Sequence, residues 1–145
     1  MGQAADILKL YELRTEPEMR SARKWFFNDF DPKKATDILY LYKSGERSSA
    51  NFRMVVSYWD MASSLVASGL IDEKAFLLAN TEHIFVYAKI RKYLPEIRKV
   101  FEEPDFLKSL EDLCINMPDF EKKLETRTKL AAIWTHADGA EAANL

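Results

Sequence analysis

Between Asn51 and Asn80 the chain reads NFRMVVSYWDMASSLVASGLIDEKAFLLAN, and its apolar residues recur at helical spacing on two adjoining faces. The first face comprises Phe52, Val55, Val56, Trp59, Ala62 and Val66, and the second comprises Met54, Tyr58, Met61 and Leu65. A helix that is apolar over most of its circumference must be surrounded by other helices. The pattern therefore predicts a long central helix over about residues 50–68, ended by Gly69, and a further helix after it.

A narrow polar edge remains on this central helix. It consists of Arg53, Ser57, Asp60 and Ser64, which follow one another at steps of four, three and four residues. Beside Tyr58 and Trp59, such an edge would line a ligand pocket that fixes a polar group inside an apolar cavity. The alternative is that the edge faces solvent or pairs with a neighbouring helix through Arg20 or Arg23, and its small serines favour close helix packing.

Most of the four glycines and five prolines lie where a helix should begin or end. Thr15 and Glu18 have the spacing of a capping box, Asp31 and Pro32 form another start signal, and Asp72 is a capping residue. Pro95 should bend the chain after a helix that begins at Glu82. The predicted helices are Ala4–Glu12, Thr15–Asn28, Asp31–Lys43, the central helix, one after Asp72, Glu82–Leu94, Glu96–Phe101, Asp105–Ile115 and Asp119–Trp134.

No run of alternating β-branched residues bounded by a hairpin turn occurs in the sequence. We therefore expect an all-α fold, a single compact bundle of six to eight helices around the long central helix. Residues 1–135 should form one domain and residues 136–145 a frayed tail. The longest apolar run, Met54–Ile71, is a poor membrane span, because it contains Asp60 near its centre and four serines.

Composition and charge restrict the partners that this chain would bind. Apolar residues make up 48% and charged residues 30%, and the formal net charge is −2. Nucleic acids and acidic membrane surfaces both require a basic excess, so neither is expected as a partner. Cys114 is the only cysteine, which excludes an internal disulfide and favours a reducing, cytoplasmic location.

Two runs of opposite charge follow one another late in the chain. Residues 89–99 contain five bases and one acid, and residues 102–112 contain five acids and one base. Two such segments can pair with each other, or reciprocally across a twofold dimer. The neighbouring acids also argue against nucleic-acid binding by the basic run.

Signatures of cofactor and metal chemistry are missing from the sequence. Four isolated glycines cannot form a phosphate-binding loop, and His83 and His136 lack the spacing of a zinc or di-iron motif. We expect no cofactor and no metal. Glu82 and His83 are a candidate acid and base pair, although adjacent helical residues point about 100° apart, and the helix dipole alone explains Glu82.

Two segments of the chain resemble a known family. The segment EPEMRSARKWFF at Glu16–Phe27, together with NFRMVVSYWDMASSLVASGLIDE at Asn51–Glu73, is similar to a family of small all-helical bacterial proteins catalogued as a domain of unknown function. The resemblance implies a helical fold. It supplies no catalytic residues.

The sequence favours a soluble helical module for protein interaction or structure, without catalysis, which binds a protein partner or a second copy of itself. Aromatic residues left on a surface are favoured interface anchors. The candidates are Tyr11, Trp25, Phe30, Tyr40, Tyr42, Tyr93 and Trp134. The alternative is a small-ligand binder or weak enzyme, with a pocket beside the central helix that is formed by Arg53, Tyr58, Trp59, Asp60, Glu82 and His83.

Overall fold

A computed structural model describes the backbone of residues 3–136 and the side chains of residues 4–130 and 133. Helices and the turns between them account for this part of the chain, in which no β-strand occurs. The helices are α1 (Gln3–Arg14), α2 (Pro17–Asn28), α3 (Ala35–Lys43), α4 (Arg47–Ala67), α5 (Glu73–Ala79), α6 (Glu82–Ile90), α7 (Leu94–Phe101), α8 (Lys108–Ile115) and α9 (Phe120–His136). The predicted all-α fold is confirmed.

The long central helix is α4, which spans 21 residues. It packs chiefly against α2 and α8, with α3, α5 and α6 as further neighbours, while α9 covers α6 and part of α2. Trp59 at the middle of α4 is fully buried, and the buried apolar side chains form one contiguous core around it. The helix is therefore enclosed by neighbours, as its apolar pattern predicts.

Local signals placed the boundaries after α4 correctly. Gly69 has φ of +76°, a left-handed conformation that residues with a Cβ atom adopt only at a cost, and it ends the helix. Asp72 then caps α5, because its carboxylate accepts a hydrogen bond of 2.9 Å from the amide of Ala75.

Three predicted helix starts were wrong. Thr15 does not cap α2, because its hydroxyl donates to the carbonyl oxygen of Glu12 and so belongs to the end of α1. Helix α3 begins at Ala35 and not at Asp31, because Asp37 reaches back to the amides of residues 33 and 34. Helix α8 begins at Lys108, three residues after the predicted start, because Leu107 adopts a left-handed conformation with φ of 56°.

The chain does bend before Pro95, but one turn earlier than predicted. Helix α6 ends at Ile90, and a single 3-10 turn, Arg91–Tyr93, leads into α7. The pyrrolidine ring of Pro95 lacks an N–H and would clash with the carbonyl four residues before it, which makes an α-helix untenable across this point.

The end of α2 is held by a residue from a distant helix. Lys89 on α6 donates from its Nζ to the carbonyl oxygens of Phe26 at 2.8 Å, Phe27 at 3.3 Å and Phe30 at 2.7 Å. Burial lowers the pKa of Lys89 to about 8, although the negative charges of Asp31 and Asp29 oppose that decrease. These bonds satisfy carbonyls that a helix end leaves without a partner.

Two expectations fall on parts of the chain outside those described. They concern the side chain of Trp134 and the predicted frayed tail, of which only His136, the last residue of α9, is described. Of the other candidate anchors, Tyr11 and Tyr40 are exposed, Trp25 and Tyr42 are half-buried, and Phe30 and Tyr93 are buried.

Candidate functional site

A groove of about 470 Å³ runs beside α4, between that helix, the end of α3 and the turn before α8. Its walls combine apolar and aromatic side chains with several charged groups. The lining residues are Tyr42, Arg53, Val56, Ser57, Asp60, Met61, Glu103, Asp105, Phe106 and Leu107. This volume lies within the range of ligand pockets, and the groove is the candidate functional site.

The turn that forms one wall is fixed by its own contacts. Glu102 and Leu107, at its two ends, both have positive φ angles, 55° and 56°. Between them, Phe106 packs edge-on against Phe101 with 5.7 Å between ring centroids, and its carbonyl oxygen accepts a 2.9 Å hydrogen bond from Nε of Arg98. The two left-handed residues are therefore stabilised by the packing around them.

Asp60 lies in the groove, where it caps α8 from across the helix interface. Its Oδ1 accepts a 3.0 Å hydrogen bond from the amide of Leu110, in the first turn of α8. Leu107, at the N-cap position, has no side-chain acceptor, so Asp60 performs the role that a serine or aspartate normally has there. Burial raises the pKa of Asp60, although backbone amides of α8 and the positive charge of Arg98 oppose that rise.

The other charged groups of the groove form no ion pair within the part of the chain that the structure describes. Arg53, Glu103 and Asp105 are exposed, and none of them pairs with another residue among those described. Ser57 donates its hydroxyl hydrogen to the carbonyl oxygen of Arg53 in its own helix. The charges of the groove are thus available to an external group.

On another side of α4, Glu82 is the centre of a half-buried ionic cluster. Its carboxylate accepts bonds of 2.7 to 3.1 Å from Nε and Nη2 of Arg23 and one of 3.0 Å from Nε1 of Trp59. Nη1 of Arg14 lies 3.7 Å from the same carboxylate, and the hydroxyl of Tyr58 donates to the carbonyl oxygen of Leu10. This cluster fastens α1 and α2 to α4 and α6.

His83 is fully buried beside this cluster. Its ring lies 5.8 Å from the ring of Trp59 and 5.5 Å from that of Phe76, between centroids. Neither of its nitrogens has a hydrogen-bond partner in the described part of the chain. Burial, with a smaller contribution from the charge of Arg127 on α9, lowers the pKa of His83 to about 4, so the ring is neutral at pH 7.

The six residues proposed from the sequence therefore divide into two groups. Arg53 and Asp60 line the groove, whereas Tyr58, Trp59, Glu82 and His83 lie in or beside the ionic cluster. Neighbouring residues on a helix point about 100° apart, so Trp59 and Asp60 face different partners. Arg23 pairs with Glu82, and not with the polar edge of α4 as one interpretation held.

Sequence reasoning did not connect the groove residues outside α4 with its polar edge. Tyr42 was named only as a candidate interface anchor, Glu103 and Asp105 only as members of the acidic run, and Phe106 and Leu107 were not singled out. Glu103 and Asp105 follow Arg53 by about 50 residues, and Tyr42 precedes it by eleven residues. No local sequence motif connects these positions with Arg53. The acidic run at residues 102–112 was the one available signal. Part of that run pairs internally, because Glu111 lies 3.2 Å from Nη1 of Arg98 in the basic run and 3.1 Å from Nζ of Lys108 in its own helix.

Other chemistry on the described residues is limited. Cys114 is buried, and its burial raises the pKa of the thiol to about 12, which leaves it unreactive at neutral pH. No group of three or more potential metal-ligating side chains converges within the part of the chain that the structure describes. Within that part, too, every helix is too short or too polar to span a lipid bilayer.

These features define an all-α bundle with an open, charged groove beside its central helix. Residues 2–117 match the family described as Domain of unknown function (DUF4760), and the chain belongs to that family. The match covers α1 to α8 and ends before α9. No curated protein and no solved structure matches the chain.

Proposed function

We propose that this protein is a non-enzymatic interaction module that binds a segment of a protein partner in the groove beside α4. The observation that carries the proposal is the difference in pairing between the two polar regions. Glu82 is bonded to Arg23 and Trp59 inside the fold. By contrast, the side chains of Arg53, Glu103 and Asp105 are exposed around a concave surface and pair with none of the described residues. A partner that covers the groove would pair these charges.

The walls of the groove suit a polypeptide segment. Met61 is 40% exposed, and the rings of Tyr42 and Phe106 contribute aromatic surface, which is enriched at protein interfaces. The groove is open, so an extended segment can enter and leave at its ends. The buried, neutral His83 and the fully bonded Glu82 give no support to acid–base catalysis.

We further propose a cytoplasmic location. The support is the single cysteine, Cys114, which is buried and has no second cysteine with which to form a disulfide.

Site-specific photo-crosslinking in cells tests the proposal. A benzoylphenylalanine introduced at Met61, inside the groove, should give a defined covalent adduct with one protein, whereas the same residue at Lys74 on α5 should not. Mass spectrometry of the adduct identifies the partner segment, which is then synthesised as a peptide.

The peptide is titrated against the purified protein and two variants. Ser57→Trp fills the groove, whereas Lys74→Trp places the same side chain on an exposed position of α5. We expect the wild type and Lys74→Trp to bind equally and Ser57→Trp to bind at least about tenfold more weakly, a loss of about 1.4 kcal/mol. Equal binding by Ser57→Trp, or equal crosslinking from both positions, would exclude the groove.

A small-ligand binder is the second candidate, and the groove volume of about 470 Å³ is the observation that favours it. Native mass spectrometry of the purified protein separates the two candidates. A bound small molecule that is present in the wild type and absent from Ser57→Trp would support this alternative.

A further inference from the structure

The groove beside α4 combines a cavity, aromatic walls and a charge imbalance. We infer that it binds the basic side chain of a lysine or arginine in the partner segment. This inference rests on the proposed function and specifies its ligand.

The charge balance of the groove favours a cation. It contains three carboxyl groups, from Asp60, Glu103 and Asp105, and one guanidinium, from Arg53. The formal net charge of the groove is therefore −2, which equals the formal net charge of the entire chain. The positive and negative charges of all other residues cancel, so the net negative charge of the protein is located at the groove. A cation approaching the protein is therefore attracted to this surface.

Arg53 does not neutralise Asp60. Seven residues of α4 separate the two positions, which corresponds to about 10 Å along the helix axis. The screening length at physiological ionic strength is about 8 Å, so the exposed guanidinium of Arg53 and the half-buried carboxylate of Asp60 act nearly independently. An incoming basic group can therefore sit near Asp60 and remain distant from the guanidinium.

The apolar walls match the rest of a basic side chain. Lysine and arginine have long methylene stems that pack against apolar surface. Met61, which is 40% exposed, supplies such surface, whereas Val56 and Leu107 are buried in the wall. The half-buried rings of Tyr42 and Phe106 also line the groove, and aromatic rings attract a nearby guanidinium or ammonium group. A simple metal ion would use none of this apolar and aromatic wall.

An anionic ligand fits the groove poorly, because the three carboxyl groups would repel it. A neutral apolar ligand would leave the exposed charges of Glu103 and Asp105 unpaired and partly dehydrated on binding. The basic side chain satisfies both the charges and the walls.

Small probe molecules are titrated into the full chain, and binding is measured from the shifts of amide signals in two-dimensional NMR spectra. The probes are N-acetyl-arginine amide and N-acetyl-lysine amide, with the neutral N-acetyl-norleucine amide as the matched control. We expect the cationic probes to shift the amide signals of Ser57, Met61 and Phe106, and to leave that of Ala75 on α5 unchanged. The norleucine probe should shift the groove signals much less.

Two charge variants sharpen the result. The double variant Glu103→Gln with Asp105→Asn changes only exposed side chains and should weaken binding of the arginine probe at least fivefold. Arg53→Gln should strengthen it about twofold, because a repulsive charge is removed. Lys74→Gln, on α5, is the control and should have no effect.

Equal shifts with the norleucine probe, or unchanged affinity in the double variant, would overturn the inference. A crosslinked partner segment that contains no lysine or arginine would refute it and leave the proposed function intact. Failure of both the crosslink at Met61 and the cationic probes would remove the proposed function as well.

Discussion

On one side of α4, Trp59 and Glu82 take part in a half-buried network with Arg14 and Arg23, while on another side Arg53 and Asp60 border an open groove. Both regions contain carboxyl groups, guanidinium groups and aromatic rings. In the first, each charge has a partner within the fold, so removal of the Glu82 carboxylate takes the shared ion-pair partner from Arg14 and Arg23. In the second, the arginine and two of the acids contact solvent. Residue type alone therefore does not distinguish a cluster that stabilises the fold from one that can bind a partner. Burial and pairing of the charged groups make that distinction.

The largest expected effect comes from Glu82→Gln. The neutral amide cannot balance Arg14 and Arg23, so we expect the free energy of unfolding to fall by about 3 kcal/mol in urea denaturation. Glu73→Gln is the matched control, because Glu73 is the first residue of α5 as Glu82 is of α6, but it is exposed. In Glu73→Gln the free energy of unfolding should fall by less than about 1 kcal/mol. Equal losses in both variants would show that the ionic cluster contributes little.

The next effect concerns His83 and acid. Its pKa is lowered to about 4 in the fold from the ordinary value of 6.5, so between these values the unfolded chain binds a proton that the folded chain does not. Stability is therefore complete above pH 6.5 and is lost as the pH falls towards 4. The expected loss from this group is about 2 kcal/mol at pH 5.

His83→Leu provides the comparison for that measurement. Leucine has no nitrogens to leave unpaired, so the variant should be about as stable as the wild type at pH 7. Chemical denaturation at pH 7 and at pH 5 should show the acid-dependent loss in the wild type only. If the wild type and His83→Leu lose the same stability between pH 7 and pH 5, the acid sensitivity arises from groups other than His83.

The smallest stability effect is expected in the groove. Asp60→Ala removes the cap of α8 and should cost about 1 to 2 kcal/mol, comparable with Asp72→Ala at the start of α5. Arg53→Ala should stay within about 0.5 kcal/mol of the wild type, since the side chain is exposed and pairs with none of the described residues. Thermal unfolding of the three variants measures this order. A loss above 1 kcal/mol for Arg53→Ala would show that the groove is a structural feature.

Sequence reasoning succeeded where the determining interaction is local. The apolar circumference of α4, the left-handed Gly69 and the cap from Asp72 all depend on residues within one or two turns. It failed at Thr15, because the same hydroxyl can close the preceding helix as readily as it can open the next one.

The groove could be predicted only in part, because its walls come together through the tertiary fold. Arg53 and Asp60 were identified as members of a polar edge, but nothing in the sequence places them opposite Glu103 and Asp105. Likewise, Asp60 caps helix α8, which begins 48 residues later in the chain. The general preference of aspartate for capping positions does not predict which distant helix it caps. His83 was assigned a chemical role because its burial is not visible in the sequence.

The contact of Lys89 with α2 has a consequence for the order of folding. The carbonyl oxygens of Phe26, Phe27 and Phe30 acquire this partner only when a residue about 60 positions later in the chain has docked. During synthesis from the amino terminus, the last turn of α2 must therefore stay hydrated or frayed until α6 has left the ribosome. The carboxyl-terminal end of α2 is thus completed late, together with α6.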